Sequence, residues 1–279
     1  MKTAHRQVII AGNWKMNKTS KEAAALTEQI LAGVKSLSAN AKNLPEIILC
    51  PAYTSLATVG PLLKGTGVKL GAQNMDWRNE GAFTGEISPL MLLDLKTNYV
   101  LIGHSERRHL FGETNATTNL RLKAALAHGL KPILCVGEMI DERENELTDA
   151  VVGRQVGAGL TDIDPAQFSQ VTIAYEPVWA IGTGKTCEAK EANRVCSVIR
   201  KTVASLYARY SGNGHKFDAA DMPILYGGSV KASNIAEQLK QEHIDGSLVG
   251  GASLNAEEFL AIIKAGADRV KHNLAAAAH

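Results

Sequence analysis

Short apolar runs alternate with amphipathic helical stretches from one end of this chain to the other. That alternation restricts the fold more than any other feature. The strand-like runs are 8–12, 46–50, 68–72, 99–102, 132–135, a run beginning at Val171, 223–226 and 246–249. Each is short and rich in β-branched or other apolar residues, as strands buried on both faces are. Helical periodicity follows them at 20–37, 55–63, 89–95, 116–128, 147–160, 188–210, 233–242 and 256–265. Eight such units without a Pro/Gly-rich linker predict an α/β chain whose parallel sheet closes on itself, a single (β/α)8 barrel. An open doubly wound sheet would need fewer units and a switch point. With 279 residues and 45% hydrophobic content, the chain has material for one such domain over 1–279. A long polar loop is expected over 73–85, a surface loop over 211–220 and a frayed tail over 275–279.

Charge and motif content exclude several function classes. Lys+Arg 30 against Asp+Glu 28 gives +2, with no basic block, so nucleic acid is not expected as a partner. No run is long enough to span a membrane, and the apolar run at 8–11 is too short for a signal peptide. Cys50, Cys135, Cys187 and Cys196 include no C-x-x-C pair, which predicts free thiols in a cytoplasmic protein. The 8 histidines include no zinc-type spacing, so neither a metal nor another cofactor is expected. Asn17-Lys18-Thr19 and Asn115-Ala116-Thr117 match a glycosylation pattern that has no meaning without secretion.

In such barrels the chemistry sits where strands end. At the end of the sixth run stands Glu176, held toward extended backbone by Pro177. Apolar residues follow, then Gly182 and Gly184. The carboxylate is either a base with its own lid or a strand-end ion pair. Two nucleotide motifs fail here. Gly184-Lys185-Thr186 lacks the P-loop's first glycine because Trp179 occupies it, and Gly182-x-Gly184 lacks its third because Cys187 does. After the first strand come Asn13 and Lys15, an amide and a compact cation suited to phosphate or an oxyanion. After the fourth comes His104, at the start of a helical turn whose positive potential favours neutral imidazole. Glu106 either orients Lys15 or pairs with Arg107, Arg108 or another subunit. After the seventh and eighth strands come Gly227-Gly228-Ser229 and Gly250-Gly251, glycine pairs that permit close approach of backbone to ligand, in the two loops where barrels bind phosphate. With no nucleophile in context, the set fits proton abstraction beside a carbonyl. Glu176 would be the base, and His104, Asn13 and Lys15 would polarise the oxygen.

Several blocks carry a resemblance over nearly the whole chain: 12–17 (Gly-Asn-Trp-Lys-Met-Asn), 71–74, 81–86, 102–108 (Ile-Gly-His-Ser-Glu-Arg-Arg), 135–138, 174–185 and 226–230 (Tyr-Gly-Gly-Ser-Val). The chain resembles the triosephosphate isomerase family. The resemblance implies a TIM barrel that interconverts dihydroxyacetone phosphate and D-glyceraldehyde 3-phosphate through an enediol(ate), in glycolysis and gluconeogenesis. It implies Glu176 as the proton carrier, His104 as a neutral electrophile, and Lys15 beside Asn13 as the charge partner. Gly182, Ser229, Gly250 and Gly251 would hold phosphate through backbone N–H groups. Residues 177–179 and 185–187 would be the lid's hinges. It also implies a homodimer, in some members a tetramer, through the 73–85 loop, with Thr84 reaching the neighbour's Asn13 and His104. Cys135 reads as buried and structural. Two features depart from the family pattern: Cys187, where alanine is usual, and the long 211–220 loop. A different sugar-phosphate enzyme on the same barrel would lack the Asn-Lys, His and Glu set, and a barrel kept only as a scaffold would have lost Glu176 or Lys15.

Overall fold

A computed structural model describes residues 6–40, 43–182, 185–208 and 218–277. Among them, eight parallel strands close into a barrel in chain order. They are β1 (Ile9–Asn13), β2 (Glu46–Cys50), β3 (Lys69–Ala72), β4 (Tyr99–Ile102), β5 (Lys131–Val136), β6 (Thr172–Tyr175), β7 (Ile224–Tyr226) and β8 (Gly246–Val249). β1 pairs with both β2 and β8, so Ala11 lies opposite Ile48 on one side and Leu248 on the other. A closed sheet leaves no unpaired edge.

Alternation along each strand sorts the side chains into two layers. Ile9, Ala11, Ile48, Cys50, Tyr99, Leu101, Ile133, Cys135, Ala174, Leu225 and Leu248 form one buried cluster that fills the barrel. Their neighbours, among them Ile10, Leu49, Val100, Leu134, Ile173 and Val249, pack outward against the helices. The inward parity continues past the last apolar layer to Asn13, Gly137, Glu176, Gly227 and Gly250. The strand pattern that builds the core therefore also delivers an amide and a carboxylate to the mouth.

The surrounding helices are α1 (Ser20–Asn40), α2 (Tyr53–Leu63), α3 (Pro89–Asp94), α4 (Ser105–Leu110), α5 (Asn115–Ala127), α6 (Ile140–Glu144), α7 (Thr148–Gly159), α8 (Ala189–Ala208), α9 (Ile235–Leu239) and α10 (Ala256–Ala277). α9 is shorter than the 233–242 expected. α10 corrects the sequence reading in the other direction, running past 265 to Ala277. Gly266 sits within the helix, where a Cβ would come 3.0 Å from both Ile10 and Pro45. The glycine serves close helix–barrel packing rather than termination. The frayed tail expected over 275–279 is likewise corrected, since 275–277 continue α10; residues 278–279 lie outside the described residues. Of the surface loop expected over 211–220, residues 211–217 also lie outside them. Of the remainder, Asp218 is exposed, whereas Ala219 is buried and accepts a hydrogen bond from Arg200 Nη1 at 3.1 Å. Among the described residues no helix is long and apolar enough to cross a membrane.

Candidate active site

Asn13 closes β1, and its Oδ1 accepts the Lys15 backbone N–H at 3.0 Å. Lys15 adopts left-handed backbone, φ 53°, which costs a residue with a Cβ roughly 1–2 kcal/mol. Gln73 helps hold it there: its Nε2 donates to the carbonyls of Lys15 and Cys50, each at 2.9 Å. The turn aims the ammonium across the mouth, and Nζ lies 2.7 Å from Glu106 Oε1. The sequence left Glu106 between Lys15 and the arginines. Arg107 instead pairs with Glu113, and Arg108 bonds Gly103 O, Asn115 and Cys135 O. Glu106 takes Lys15.

β4 ends at Ile102, and Gly103, with φ 68°, turns the chain before α4. His104 caps that helix, its Nδ1 accepting the Glu106 N–H at 3.3 Å. In the neutral ring the proton is thereby placed on Nε2, which meets Glu176 Oε1 at 2.8 Å. The other carboxylate oxygen, Oε2, accepts the Ser105 N–H at 2.9 Å. Glu176 is only 1% exposed. Burial pushes its carboxyl up, but His104, the Ser105 N–H and Lys15 outweigh burial and hold it below the usual carboxylate value. Burial likewise opposes imidazolium at His104, but Glu176 and Glu106 outweigh it and raise the group above its ordinary value. With Glu176 and Glu106 in place, the neutral imidazole expected from the helix terminus is thus opposed by two carboxylates.

The pair has a pH signature. A depressed Glu176 contributes stability that is present above its unfolded value, about 4.3, and is lost as pH falls through the folded value. A raised His104 contributes stability that is present below about 6.5 and is lost as pH rises through the folded value. Thermal melts should therefore show the Tm difference between wild type and Glu176→Gln to be most favourable to wild type between about pH 4.3 and 6.5, declining on both sides. A difference flat across pH would contradict the ion pair.

Asn13, Lys15, His104 and Glu176 line a cavity of about 260 Å³, together with Ile181, Gly182, Ser229, Gly250 and Gly251. That is smaller than the roughly 300–1,000 Å³ of pockets for drug-sized ligands and suits a molecule of a few carbons. The glycines divide by purpose. Gly250 and Gly251 leave open space on the cavity side, where an added Cβ would touch nothing closer than Lys15 Cε at 3.4 Å. Gly227 and Gly228 also line the cavity, and they serve packing besides. A Cβ on Gly227 would lie 3.0 Å from Glu176 Cγ, and one on Gly228 would strike Pro177 and the Tyr226 ring. They make room for the carboxylate and for the start of the lid. Lys231 and Glu258 also line the cavity. Neither was singled out from sequence, since both fall within helical or turn stretches where an exposed charge is ordinary.

The segment expected to act as a lid begins where Glu176 N–H donates to Val136 O at 2.7 Å. Residues Val178–Ala180 form one 3-10 turn. Trp179 Nε1 and the Tyr175 hydroxyl both donate to Glu138 Oε1, at 2.9 and 3.1 Å, and Arg143 stacks over the Trp179 ring. Glu138 is buried, and burial pushes its carboxyl up despite these bonds. Gly182, with φ 71°, turns the segment toward the cavity; 183–184 lie outside the described residues. At the far end Cys187 is buried, its carbonyl accepting from Gln238 Nε2 at 3.0 Å, and burial pushes its thiol up to about 12. Cys135 is also wholly buried, with a thiol pushed well above its usual value, so it supplies no thiolate. Thr84 is exposed in the 73–85 loop, outside the cavity.

The family model described as triosephosphate isomerase matches residues 8–266. The chain belongs to the triosephosphate isomerase family. Among its relatives, the triosephosphate isomerase of Clostridium tetani (strain Massachusetts / E88) is 50% identical over 92% of this chain and 96% of its own length. That of Synechococcus sp. (strain JA-3-3Ab) is 50% identical over 92% and 94%. That of Thermoanaerobacter pseudethanolicus is 47% identical over 92% and 99%. The match spans β1 to the middle of α10, and so includes every cavity residue named above.

Proposed function

We propose that this chain, as one barrel domain, interconverts dihydroxyacetone phosphate and D-glyceraldehyde 3-phosphate, an aldose–ketose isomerisation of glycolysis and gluconeogenesis. The observation that carries the reading is the buried Glu176 carboxylate, held ionised 2.8 Å from His104 Nε2 in a cavity that also presents Lys15. The reaction moves one proton between adjacent carbons. Glu176 turns from His104 and Ser105 and takes a proton from the carbon beside the carbonyl. The C–H pair becomes the C=C bond of an enediolate, and the carbonyl π pair moves onto oxygen. His104 Nε2–H, released from Glu176, donates to that oxygen, with Asn13 beside it, and shuttles protons between the two oxygens. Glu176 then returns its proton to the neighbouring carbon.

Lys15 offsets the charge of phosphate and enediolate, and Glu106 orients Lys15. Backbone N–H groups of Gly182, Ser229, Gly250 and Gly251 hold the phosphate. The lid closes over the intermediate and excludes the water that would favour phosphate loss. Cys135 fills the barrel below Glu176. We further propose a cytoplasmic homodimer. Met16 is 95% exposed and Phe83 40% exposed, apolar surface beside the 73–85 loop that a second copy would cover. Thr84 would then reach the partner's mouth. The proposed chemistry uses side chains and backbone alone, without cofactor or metal.

A coupled assay tests the activity directly. Purified protein should convert glyceraldehyde 3-phosphate to dihydroxyacetone phosphate and the reverse. A stable, folded protein with no turnover in either direction would overturn the reading.

A further inference from the structure

The far hinge of the lid is tied to the barrel wall by a residue that the mechanism does not use. Gln238 lies on α9, is 4% exposed, and reaches across 51 positions of sequence to donate from Nε2 to Cys187 O at 3.0 Å. Its Oε1 is buried without a hydrogen-bond partner among the described residues. The Tyr226 hydroxyl lies beside the Cys187 backbone and is also buried short of normal hydrogen-bond geometry. Cys187 itself is 2% exposed, whereas Lys185 and Thr186 just before it are exposed.

We infer that Gln238 is a positioning residue for the lid, resting on the isomerase reading above. Its amide pins the Cys187 carbonyl, so the lid turns at 185–186 and the motion stops short of α8. An apolar core side chain at 238 would pack as well but would leave that carbonyl unanchored. A buried amide with one half bonded and one half free costs stability unless it does something. The free Oε1 favours any hinge position that brings an N–H or S–H to it, which is what a hinge with two settings needs. Gln238 does not line the cavity, so its effect on the reaction passes through the lid.

Gln238→Met keeps the side chain's length and removes both halves of the amide. Losing one such bond should lower kcat/KM by about 3- to 10-fold and weaken 2-phosphoglycolate, a carboxylate mimic of the enediolate, by a similar factor. Amide hydrogen exchange over 185–188 should quicken in the ligand-free protein while Tm stays within a few degrees. Wild-type kinetics and exchange in Gln238→Met would overturn the inference. Faster exchange spread through the whole barrel would also overturn it, because that marks a merely structural role. Wild type assayed in parallel separates the two readings: inactive wild type sinks both, whereas active wild type with an indifferent Gln238→Met sinks only this one.

Discussion

Glu176→Gln should lower kcat by about 10²- to 10⁴-fold, the range that a positioned general base supplies. The amide is isosteric with the carboxyl, so packing against Gly227 is kept, with Cγ where the missing Cβ leaves room. Oε1 still accepts from His104 Nε2, whereas the NH2 that replaces Oε2 cannot accept the Ser105 N–H, so that bond alone is lost. KM should move little, because the cation and the phosphate cup remain. Steady-state kinetics on protein whose far-UV spectrum and oligomeric state match wild type gives the answer. Turnover near wild type would remove Glu176 as the proton carrier. Turnover lost together with the fold would leave His104 with a structural partner rather than a catalytic one.

Lys15→Ala should be as damaging, but through binding as well as rate. Lys15 Nζ is the cation that faces the cavity from β1, and it sits 2.7 Å from Glu106 Oε1. Removing it subtracts a positive charge and leaves the Glu106 carboxylate unopposed at the mouth, so the local field turns against a dianion. Losing one preorganised charge partner in such a site costs about 10²- to 10³-fold in rate, and KM for triose phosphate should rise in addition. Lys15→Arg should recover only part of this, since a planar guanidinium on a longer side chain cannot occupy the same point. Inhibition by 2-phosphoglycolate offers the check: undiminished affinity in Lys15→Ala would deny Lys15 its place at the phosphate and enediolate.

The barrel was legible because its signal is local. Runs such as Ile9–Gly12 and Ile47–Cys50 are apolar on both faces, as only buried parallel strands are, and each is followed by helical periodicity. The mouth was legible for the same reason, since Asn13 and Glu176 continue the inward parity of their strands. What escaped depends on contacts between distant segments. Gly266 could not be told from a helix stop, because only the approach of α10 to Ile10 and Pro45 explains it. Gly227 and Gly228 line the cavity, but their packing against Glu176, Pro177 and the Tyr226 ring shows only in the fold. The Ser105 N–H that holds Glu176 leaves no mark in residue type, because it is backbone. Gln238 looked like any polar residue of an amphipathic turn, and only its bond to Cys187 distinguishes it.

The most direct measurement follows the proton itself. Glyceraldehyde 3-phosphate turned over by wild type in D2O, with products read by proton NMR, should give dihydroxyacetone phosphate carrying solvent deuterium at C1, because a carboxylic acid formed at Glu176 exchanges with solvent in some turnovers before it returns its proton. Isomerisation with no deuterium in any product would mean that no solvent-exchangeable carboxylic acid forms during turnover, and would contradict this account.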